Sequence, residues 1–383
     1  MVLAGVVAIA SVMLTGTAAA SARPLTAAPR SLAAGRAAPS GDFGQATAIS
    51  GSIAVVGAPE TTGTGQTSGA VFIYVLAHGR WSQQAELKAP AGASYFGGAV
   101  AVSGATVVVG APYTNSATLG SQVGAAYVYA RPKKTWKRQA VIFGPASHTE
   151  PELGWSVAVS GSTALIGVPF ANGTVGAADI YVRSGTRWPR KKVLTEPAGA
   201  GDASFGYSVA LSGATAVVGQ PFVNAGDGAA FVYAGSGSTW TEQDKLAGAG
   251  GEFGWSVAVS RNTAVIGEDS DAGGAVIYAR TRSTWSQQAE LTGSDAGSGS
   301  GFGRTVAVSG STALVAAPYQ GTDAGAVYVF GRSGTTWPQQ AELATPAPAS
   351  EYFGQGLSMT GTTALIGAKD AAYLVTYAEG SVG

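Results

Sequence analysis

The sequence predicts an all-β fold, a seven-bladed β-propeller made of four-stranded antiparallel blades. A Phe-Gly dipeptide or its Leu-Gly variant occurs seven times, and successive glycines are 48 to 57 residues apart. A period of this size is typical of repeat architectures, in which each unit buries its apolar face only against its neighbours. Complete units also contain four short runs with strand-like residues between turn residues. The dipeptides are Phe43-Gly44, Phe96-Gly97, Leu153-Gly154, Phe205-Gly206, Phe253-Gly254, Phe302-Gly303 and Phe353-Gly354.

The composition supports a β-rich folded protein. Hydrophobic residues make up 46% of the 383, and the 57 glycines alternate with apolar runs, which indicates turns rather than disorder. Twenty-two basic residues balance 22 acidic ones, whereas a nucleic-acid-binding protein carries a basic excess. The sequence has no cysteine, which excludes disulfides and Cys-based sites. We therefore expect a fold held together by packing, and no nucleic-acid partner.

The N-terminus has the pattern of a secretory signal peptide over residues 1–22. An apolar run from Val2 to Thr15 is followed by small residues, and Ala20-Ser21-Ala22 matches a cleavage site. No Lys or Arg precedes the run, so the usual charged opening segment is missing. An uncleaved membrane anchor is the alternative, although a spanning helix needs roughly 20 apolar residues. We expect a secreted, extracellular protein with no stable membrane span after cleavage.

Each unit is interpreted as four antiparallel strands. In the third unit Val157 and Val159 share one face of the first strand, and Ser160-Gly161-Ser162 has the chemistry of a tight hairpin turn. The second strand, residues 164–166, is apolar on both faces, and third strands are rich in aromatic residues, as at 127–129. Such units suit a propeller, because radial closure leaves only short, protected edges.

The fourth strand is expected on the outside of each blade. In the first unit, simple alternation places Trp81, Gln83, Ala85 and Leu87 on one face and polar residues on the other. A tryptophan at this place in six units indicates a packing anchor, with an aromatic ligand platform as the alternative. The six are Trp81, Trp136, Trp188, Trp240, Trp285 and Trp337.

The two ends of the chain are expected to meet in the seventh blade. The last unit ends after its third strand, which would leave an open edge. Leu32 precedes Phe43 by eleven residues, the same offset as that of Leu291 before Phe302. We therefore predict that residues around 24–34 pair with the third strand of the last blade. On this interpretation residues 23–42 carry the ring-closing strand and residues 43–379 form the propeller.

The units resemble FG-GAP repeats, which build the propeller of integrin α-chains and occur in many exported bacterial proteins. The Phe-Gly dipeptides match the first half of the motif, and a Gly-Ala-Pro element or a variant follows the second strand of most units. The resemblance covers residues 43 to about 378 and implies the propeller fold, but one fold serves many activities. The matching elements are Gly57-Ala58-Pro59, Gly110-Ala111-Pro112, Gly167-Val168-Pro169, Gly219-Gln220-Pro221 and Ala316-Ala317-Pro318.

The resemblance does not carry over the calcium sites of the family. In the integrin version several units hold calcium in an Asp-rich loop between the first and second strands. The corresponding segments here are short turns such as Ser103-Gly104-Ala105, and none contains a carboxylate. Calcium takes about six to eight oxygen ligands, several of them charged. The chain therefore resembles the calcium-free bacterial branch, and we expect no cofactor.

Catalytic chemistry is thinly represented, so we assign no catalytic residue and do not expect an enzyme. The two histidines, His78 and His148, lie in different units and in no recognised motif. An acid/base cluster of His148 with Glu150 and Glu152 is the catalytic alternative, and a solvated loop is the other interpretation.

No metal site is assigned, although one acidic stretch is a weak candidate. Glu268, Asp269 and Asp271 stand where the fifth unit replaces its Ala-Pro, and Asp295 in a neighbouring loop is an additional oxygen donor. A polar surface turn is the alternative.

Ten of the 22 basic residues fall in two segments of adjacent units, which predicts one positive patch on the rim. Such a patch suits an anionic cell-wall polymer or an acidic polysaccharide. Protection of the outer strands against edge-to-edge pairing is the alternative. The patch comprises Arg131, Lys133, Lys134, Arg190, Lys191 and Lys192, with Lys137, Arg138, Arg183 and Arg187 beside them.

The positions that differ between units are the best guide to a ligand site, because variable loops on a rigid scaffold tolerate change. The residue after each Phe-Gly and the residue after the proline of the second strand should meet around one opening of the central channel. Aromatic rings there suit sugar stacking or a protein hot spot, whereas plugging of the channel is the alternative. The candidates are Trp155, Tyr207, Trp255, Arg304 and Gln355, with Tyr113, Phe170, Phe222 and Tyr319.

Together these observations predict a secreted, non-catalytic binding or adhesion module that acts as a monomer. Its expected partner is an extracellular protein or a carbohydrate. A lectin-like carbohydrate-binding scaffold is the alternative, and an exported hydrolase is a weaker one.

Overall fold

Seven four-stranded antiparallel sheets form a ring, which confirms the predicted all-β, seven-bladed propeller. The computed structural model describes residues 30–32, 41–60, 62–63, 66–144, 151–171, 173–196, 203–248, 251–345 and 351–377. Within these ranges, helical structure is limited to α1 (Gln320–Asp323) and a 3₁₀ turn (Asn224–Gly226).

The blades follow one another along the chain, and each runs from an inner first strand to an outer fourth strand. β1 (Arg30–Leu32) comes first but belongs to the last blade. Blade 1 begins with β2 (Thr47–Ser50) and β3 (Ile53–Ala58), continues through a hairpin of β4 (Thr62–Gly63) and β5 (Gln66–Thr67), and ends with β6 (Ala70–Ala77) and β7 (Arg80–Lys88). Blade 2 contains β8 (Ala99–Ser103), β9 (Thr106–Ala111), β10 (Ala125–Ala130) and β11 (Lys137–Phe143). Blade 3 contains β12 (Val157–Ser160), β13 (Thr163–Val168), β14 (Ala177–Val182) and β15 (Arg190–Leu194).

The remaining blades repeat this order. Blade 4 contains β16 (Ser208–Ser212), β17 (Thr215–Gln220), β18 (Ala229–Ser236) and β19 (Thr239–Ala247). Blade 5 contains β20 (Ser256–Ser260), β21 (Thr263–Glu268), β22 (Gly274–Thr281) and β23 (Thr284–Leu291). Blade 6 contains β24 (Thr305–Ser309), β25 (Thr312–Ala317), β26 (Ala326–Gly331) and β27 (Gln339–Ala344). Blade 7 contains β28 (Leu357–Thr360), β29 (Thr363–Ala368) and β30 (Ala371–Thr376), and β1 completes it.

The core consists of apolar clusters between adjacent blades, one at each of the seven interfaces. At the first interface Val55 and Ile73 of blade 1 pack against Phe96 and Val109 of blade 2. The inner strands also contact each other around the ring, and β2 touches both β8 and β28. Every blade therefore has a neighbour on both faces, which explains why the second strands are apolar throughout.

The N-terminal strand closes the ring as the sequence predicts. β1 pairs antiparallel with β30, and Leu32 lies opposite Ala372. The Leu32 side chain is 7% exposed and packs in the cluster between blades 7 and 1, which also contains Phe43 and Leu374. The other residues of the predicted closing segment, and the predicted signal peptide at 1–22, lie outside the described residues.

The glycines of the repeat motif allow the blades to approach backbone to backbone. Gly97 has φ +98°, donates its N–H to the carbonyl of Gly110 at 2.9 Å, and would bring a Cβ within 2.8 Å of the Ala70 carbonyl oxygen. A Cβ on Gly110 would lie 2.0 Å from the carbonyl oxygen of Gly154 in the next blade. Side chains at these two positions would therefore push the sheets apart.

The short turns between first and second strands join every blade to the next. In each case a Ser or Thr hydroxyl at the end of one first strand accepts a hydrogen bond from a backbone N–H in the following blade's turn, at 3.0 to 3.4 Å. The acceptors, in order around the ring, are Ser50, Ser103, Ser160, Ser212, Ser260, Ser309 and Thr360. These turns, where the integrin version holds calcium, thus connect the blades by hydrogen bonds.

The predicted single face for Trp81, Gln83, Ala85 and Leu87 is wrong, because β7 contains a β-bulge. The register places Ile73 opposite Ala85 but Tyr74 opposite Gln83, so one residue is unpaired and the alternation changes phase. Trp81 packs toward blade 7, whereas Leu87 packs toward blade 2. The outer strands of blades 2 to 6 have a bulge at the same place.

The bulge lets one outer strand anchor to both neighbouring blades, which supports the interpretation of the repeated tryptophan as a packing anchor. At three interfaces the indole Nε1–H donates to the side-chain oxygen of the bulged glutamine in the preceding blade, at 2.8 to 3.0 Å. Trp285 and Gln243 hold the same positions in blades 5 and 4. The indole Nε1 of Trp285 and the Oε1 of Gln243 form no hydrogen bond with any described residue. The three hydrogen-bonded pairs are Trp136 with Gln84, Trp188 with Gln139 and Trp337 with Gln288.

Candidate ligand-binding site

A tight turn at the start of every blade builds one end of the ring, which we call the mouth. In all seven blades the N–H after the Phe-Gly or Leu-Gly glycine donates to the carbonyl of the residue before the dipeptide. That preceding residue has a left-handed φ of 49 to 68° in each blade, and only one of the seven is glycine. Non-glycine residues rarely adopt this conformation, and it is concentrated at functional sites. The seven are Asp42, Tyr95, Glu152, Ser204, Glu252, Gly301 and Tyr352.

Seven half-buried rings form a continuous arc around the mouth through blades 2 to 5, which we call the aromatic arc. Trp155 and Tyr207 have ring centroids 5.4 Å apart, and Tyr207 lies 4.8 Å from Trp255. Most neighbouring rings meet edge to face or tilted, the arrangements that aromatic pairs prefer. The members are Tyr95, Tyr113, Trp155, Phe170, Tyr207, Phe222 and Trp255.

Arg304 joins the aromatic arc to the polar side of the mouth. Its guanidinium carbon lies 4.9 Å from the ring centroid of Trp255 and 5.1 Å from that of Tyr319. Its Nη1 donates to a carboxylate oxygen of Asp269. The guanidinium is therefore held between two rings and an acid, which fixes its position before any ligand arrives.

A cavity of about 420 Å³ lies between blades 6, 7 and 1, on the other side of Arg304. We call it the polar pocket. Tyr319 and Tyr352 stand nearly perpendicular in its wall, with centroids 6.0 Å apart. Its volume is within the usual range for small-ligand sites. The lining residues are Asp42, Gln45, Arg304, Pro318, Tyr319, Tyr352, Gln355 and Lys369.

Two carboxamides in the polar pocket have unused hydrogen-bonding capacity. The Nε2 of Gln45 donates to the hydroxyl of Tyr95, but its buried Oε1 bonds no described residue. The buried Nε2 of Gln355 likewise has no partner in the described part of the chain. A buried polar atom without a partner is costly. A ligand that supplies both a donor and an acceptor would satisfy these two once the carboxamides turn into the pocket.

Burial sets the charge state of the mouth. It raises the pKa of Tyr207 well above the usual range, although the charge of Arg304 opposes this effect, so the phenol stays neutral at physiological pH. Burial also raises the pKa of Glu252; the charge of Asp269 adds to the rise, and Arg304 opposes it. The aromatic arc is thus a neutral surface, and its nearby charges partly cancel.

The structure brings the predicted mouth residues together, and their role as ligand contacts stays a prediction. Trp155, Tyr207, Trp255, Tyr113, Phe170 and Phe222 lie in the aromatic arc, and Arg304, Tyr319 and Gln355 line the polar pocket.

Sequence reasoning missed Tyr95 and Tyr352, which precede the Phe-Gly dipeptide rather than follow it. A sequence signal for Tyr95 is the glycine at position 98, where most other units have a larger residue after the Phe-Gly dipeptide. The Tyr95 ring occupies that space, and a Cβ on Gly98 would lie 2.4 Å from it. It also missed Asp42 and Lys369, which line the polar pocket.

The acidic candidates for a metal site are not brought together. Asp269 faces Arg304 at the mouth, whereas Glu268 lines a separate cavity of about 310 Å³ with Glu290, and Asp271 is exposed. Asp295 accepts a hydrogen bond from the hydroxyl of Tyr328 at 2.8 Å. No group of three or more metal-binding side chains occurs within the described ranges.

The residues of the predicted basic patch lie on blades 2 and 3, and their role as a binding patch stays a prediction. Lys133, Lys134, Lys191 and Lys192 are exposed, and Arg131 lines a groove between the two blades. Arg190 instead pairs with the buried carboxylate of Asp179 at 3.1 Å, so that positive charge is largely neutralised.

The structure does not describe the alternative acid/base cluster of His148, Glu150 and Glu152, because His148 and Glu150 lie outside the described residues.

Comparison with protein families gives one match. The model of the FG-GAP repeat matches residues 30–74, 81–129, 188–233 and 285–330. Each matched segment begins at or beside the outer strand of one blade and ends in the third strand of the next, so the first segment includes β1. Proteins of curated function provide no match to this chain. The helical turns within the described ranges are too short to span a bilayer. With four matched repeats and seven blades in one ring, the chain belongs to the FG-GAP repeat family of β-propellers.

Proposed function

We propose that this protein is a secreted, non-catalytic binding or adhesion module that recognises an extracellular protein or glycan through its mouth. The observation that carries the proposal is the concentration of variable residues there. Seven aromatic rings and a stacked arginine adjoin a pocket with two unsatisfied amides, on a scaffold whose other repeated positions serve packing. The signal-like pattern at 1–22 and the membership of a family common among extracellular proteins support secretion.

The aromatic arc favours a protein partner. Trp, Tyr and Arg dominate the hot spots of protein interfaces, because they bury large areas with few rotatable bonds. Trp155, Tyr207 and Trp255 are half-buried and rigidly packed against one another, so little conformational entropy is lost when a partner covers them.

The polar pocket favours a lectin-like alternative. Sugars present apolar faces and hydroxyl groups, and hydroxyls both donate and accept hydrogen bonds. Tyr319 and Tyr352 offer aromatic surfaces, while Gln45 and Gln355 offer an unused acceptor and an unused donor. A neutral saccharide end of one or two residues suits a pocket of this size.

One experiment distinguishes the two ligand classes. Wild-type protein, Trp255→Leu and the double variant Gln45→Ala/Gln355→Ala are applied to a glycan array and to immobilised proteins from culture supernatant. Loss of a protein partner with Trp255→Leu supports the first, and loss of a glycan with the amide variant supports the second. Arg332→Ala, at the opposite end of the ring, serves as the control. Binding that survives both mouth variants would refute a site at the mouth.

The absence of catalysis is part of the proposal and has its own test. An activity screen against esters, peptides and glycosides is expected to show no turnover above background. A hydrolytic activity that disappears in His148→Ala would support the hydrolase alternative.

A further inference from the structure

We infer that a second site, at the end of the ring opposite the mouth, binds an acidic polysaccharide. The site is a cavity of about 500 Å³ between blades 2 and 3, which we call the basic groove. Four cationic side chains line it, together with Gln139 and Thr186. The four are Arg131, Lys137, Arg138 and Arg183.

The strand directions place the basic groove away from the mouth. β8 begins at the mouth and ends at the turn that contains Ala105, which lines the groove. Antiparallel β10 ends at Ala130, and β11 begins at Lys137, so both meet the groove at the same end of the blade. A ligand in the groove therefore does not compete with one at the mouth.

The groove concentrates positive charge in a chain whose net charge is zero. Residues 131–138 and 183–192 contain ten basic residues and no acidic residue. Only Arg190 has an ion-pair partner among them in the described part of the chain, the buried Asp179. The other nine have no ion-pair partner within the described ranges, and the four that line the groove create a local attraction for a polyanion.

Two of the arginines are held in place before a ligand binds. Arg183 donates its Nε–H to the Gly185 carbonyl at 3.0 Å, which fixes the direction of its guanidinium. The guanidinium carbon of Arg131 lies 6.0 Å from the ring centroid of Trp136, and its buried Nε bonds no described residue. Guanidinium groups fixed in this way pair well with the flat, charged oxygens of carboxylates and sulfates.

Protection of strand edges does not explain this distribution. Every blade exposes an outer edge, yet the outer strands of blades 1, 4, 5 and 6 have mainly Ser, Thr, Gln or Glu at the two positions after the tryptophan. Blade 2 has Lys137 and Arg138 there. If cations were needed for edge protection, all outer strands would need them. Other outer strands carry only isolated cations, such as Lys88 and Lys245, so the clustering of basic residues in two adjacent blades favours a ligand.

The chemistry of the groove favours a polysaccharide over a nucleic acid. None of its lining side chains is aromatic, and Trp136 is 8% exposed. Single-stranded nucleic acids normally stack their bases on exposed rings in addition to their phosphate contacts. A groove that offers charge and hydrogen bonds without rings fits a polymer of charged sugars.

Calorimetric titration tests the inference with two polymers as probes. Heparin supplies sulfates and carboxylates, and polygalacturonate supplies carboxylates alone, so the pair identifies the anionic group. We expect at least one of them to bind, and the double variant Lys137→Glu/Arg138→Glu to bind it at least about tenfold more weakly. Both side chains are exposed, and circular dichroism and the melting temperature check that the variant folds.

Arg332→Glu is the matched control. Arg332 donates its Nε–H to Gly334 at 3.0 Å, as Arg183 does to Gly185, but blade 6 has no basic cluster. We expect this variant to keep its affinity within about twofold, because the charge lies far from the groove. Failure of both polymers to bind would overturn the inference, as would equal losses in the two variants. Equal affinity for a single-stranded oligonucleotide would show nonspecific ion exchange and also overturn it.

Discussion

Truncation of Leu32 tests whether the N-terminal strand holds the ring closed. Leu32 is 7% exposed and packs with Phe43, Ile49 and Leu374 between blades 7 and 1. Leu32→Ala removes these contacts at the one interface where the two chain ends meet, while the backbone pairing with β30 remains. We therefore expect the substitution to destabilise the whole ring rather than one loop.

The size of the effect follows from burial. A buried Leu→Ala change costs about 2–5 kcal/mol, depending on how well the site collapses. β1 is three residues long and can shift toward the cavity, so we expect about 3 kcal/mol. An unfolding entropy of about 2.1 cal/mol/K per residue over roughly 340 residues converts this loss into a fall in melting temperature of about 4 °C.

Differential scanning calorimetry measures this change directly. Ser31→Ala is the control, because Ser31 lies on the same strand with its side chain exposed, and it should shift the melting temperature by less than about 1 °C. If Leu32→Ala melts together with wild type, the strand does not stabilise the ring and the closure is incidental. We expect deletion of residues 23–36 to lower the melting temperature more than Leu32→Ala does. An unchanged melting curve for the deletion would likewise contradict a stabilising role for the strand.

Two further predictions concern stability. Gln288→Ala leaves the indole N–H of Trp337 without an acceptor and should cost about 1–2 kcal/mol by chemical denaturation. The control is Gln340→Ala, at the equivalent bulge of blade 6, which should cost almost nothing because blade 7 has no tryptophan at the matching position. Equal losses of stability in the two variants would refute a stabilising role for the Trp337–Gln288 hydrogen bond. Burial raises the pKa of Glu268 to about 7, so wild type should lose stability as the pH rises from about 4.3 to 7. We expect a loss of about 1 kcal/mol in the free energy of unfolding, which is less than the pKa shift alone implies because the carboxyl is partly open to water. Glu268→Gln should abolish this pH dependence, and the control Asp271→Asn should keep it.

The ring, its closure and the mouth were predictable because each depends on an offset within the repeat. The position of Leu32 relative to Phe43 matches that of Leu291 relative to Phe302, so the missing strand could be located without coordinates. The residues after each Phe-Gly meet at the mouth because the same turn recurs in every blade.

Features that depend on cross-strand register were not predictable in the same way. The bulge near Gln84 changes the phase of the outer strand, but polar residues on both sides of it conceal the change in the alternation. The pairing of Arg190 with Asp179 requires two antiparallel strands at a known register. The separation of Glu268 from Asp269, in contrast, could have been expected from the sequence, because adjacent residues at a strand end point to opposite sides.

Amide hydrogen exchange, measured with and without a ligand recovered from the binding screens, tests a site at the mouth most directly. We predict slower exchange at the turns of residues 95–98, 152–155, 204–207 and 252–255, which carry rings of the aromatic arc. We predict the same at the turns of residues 42–45, 301–304 and 352–355, which line the polar pocket. Protection confined to the outer strands or to the turns at the opposite end, with the mouth unchanged, would contradict a ligand site at the mouth.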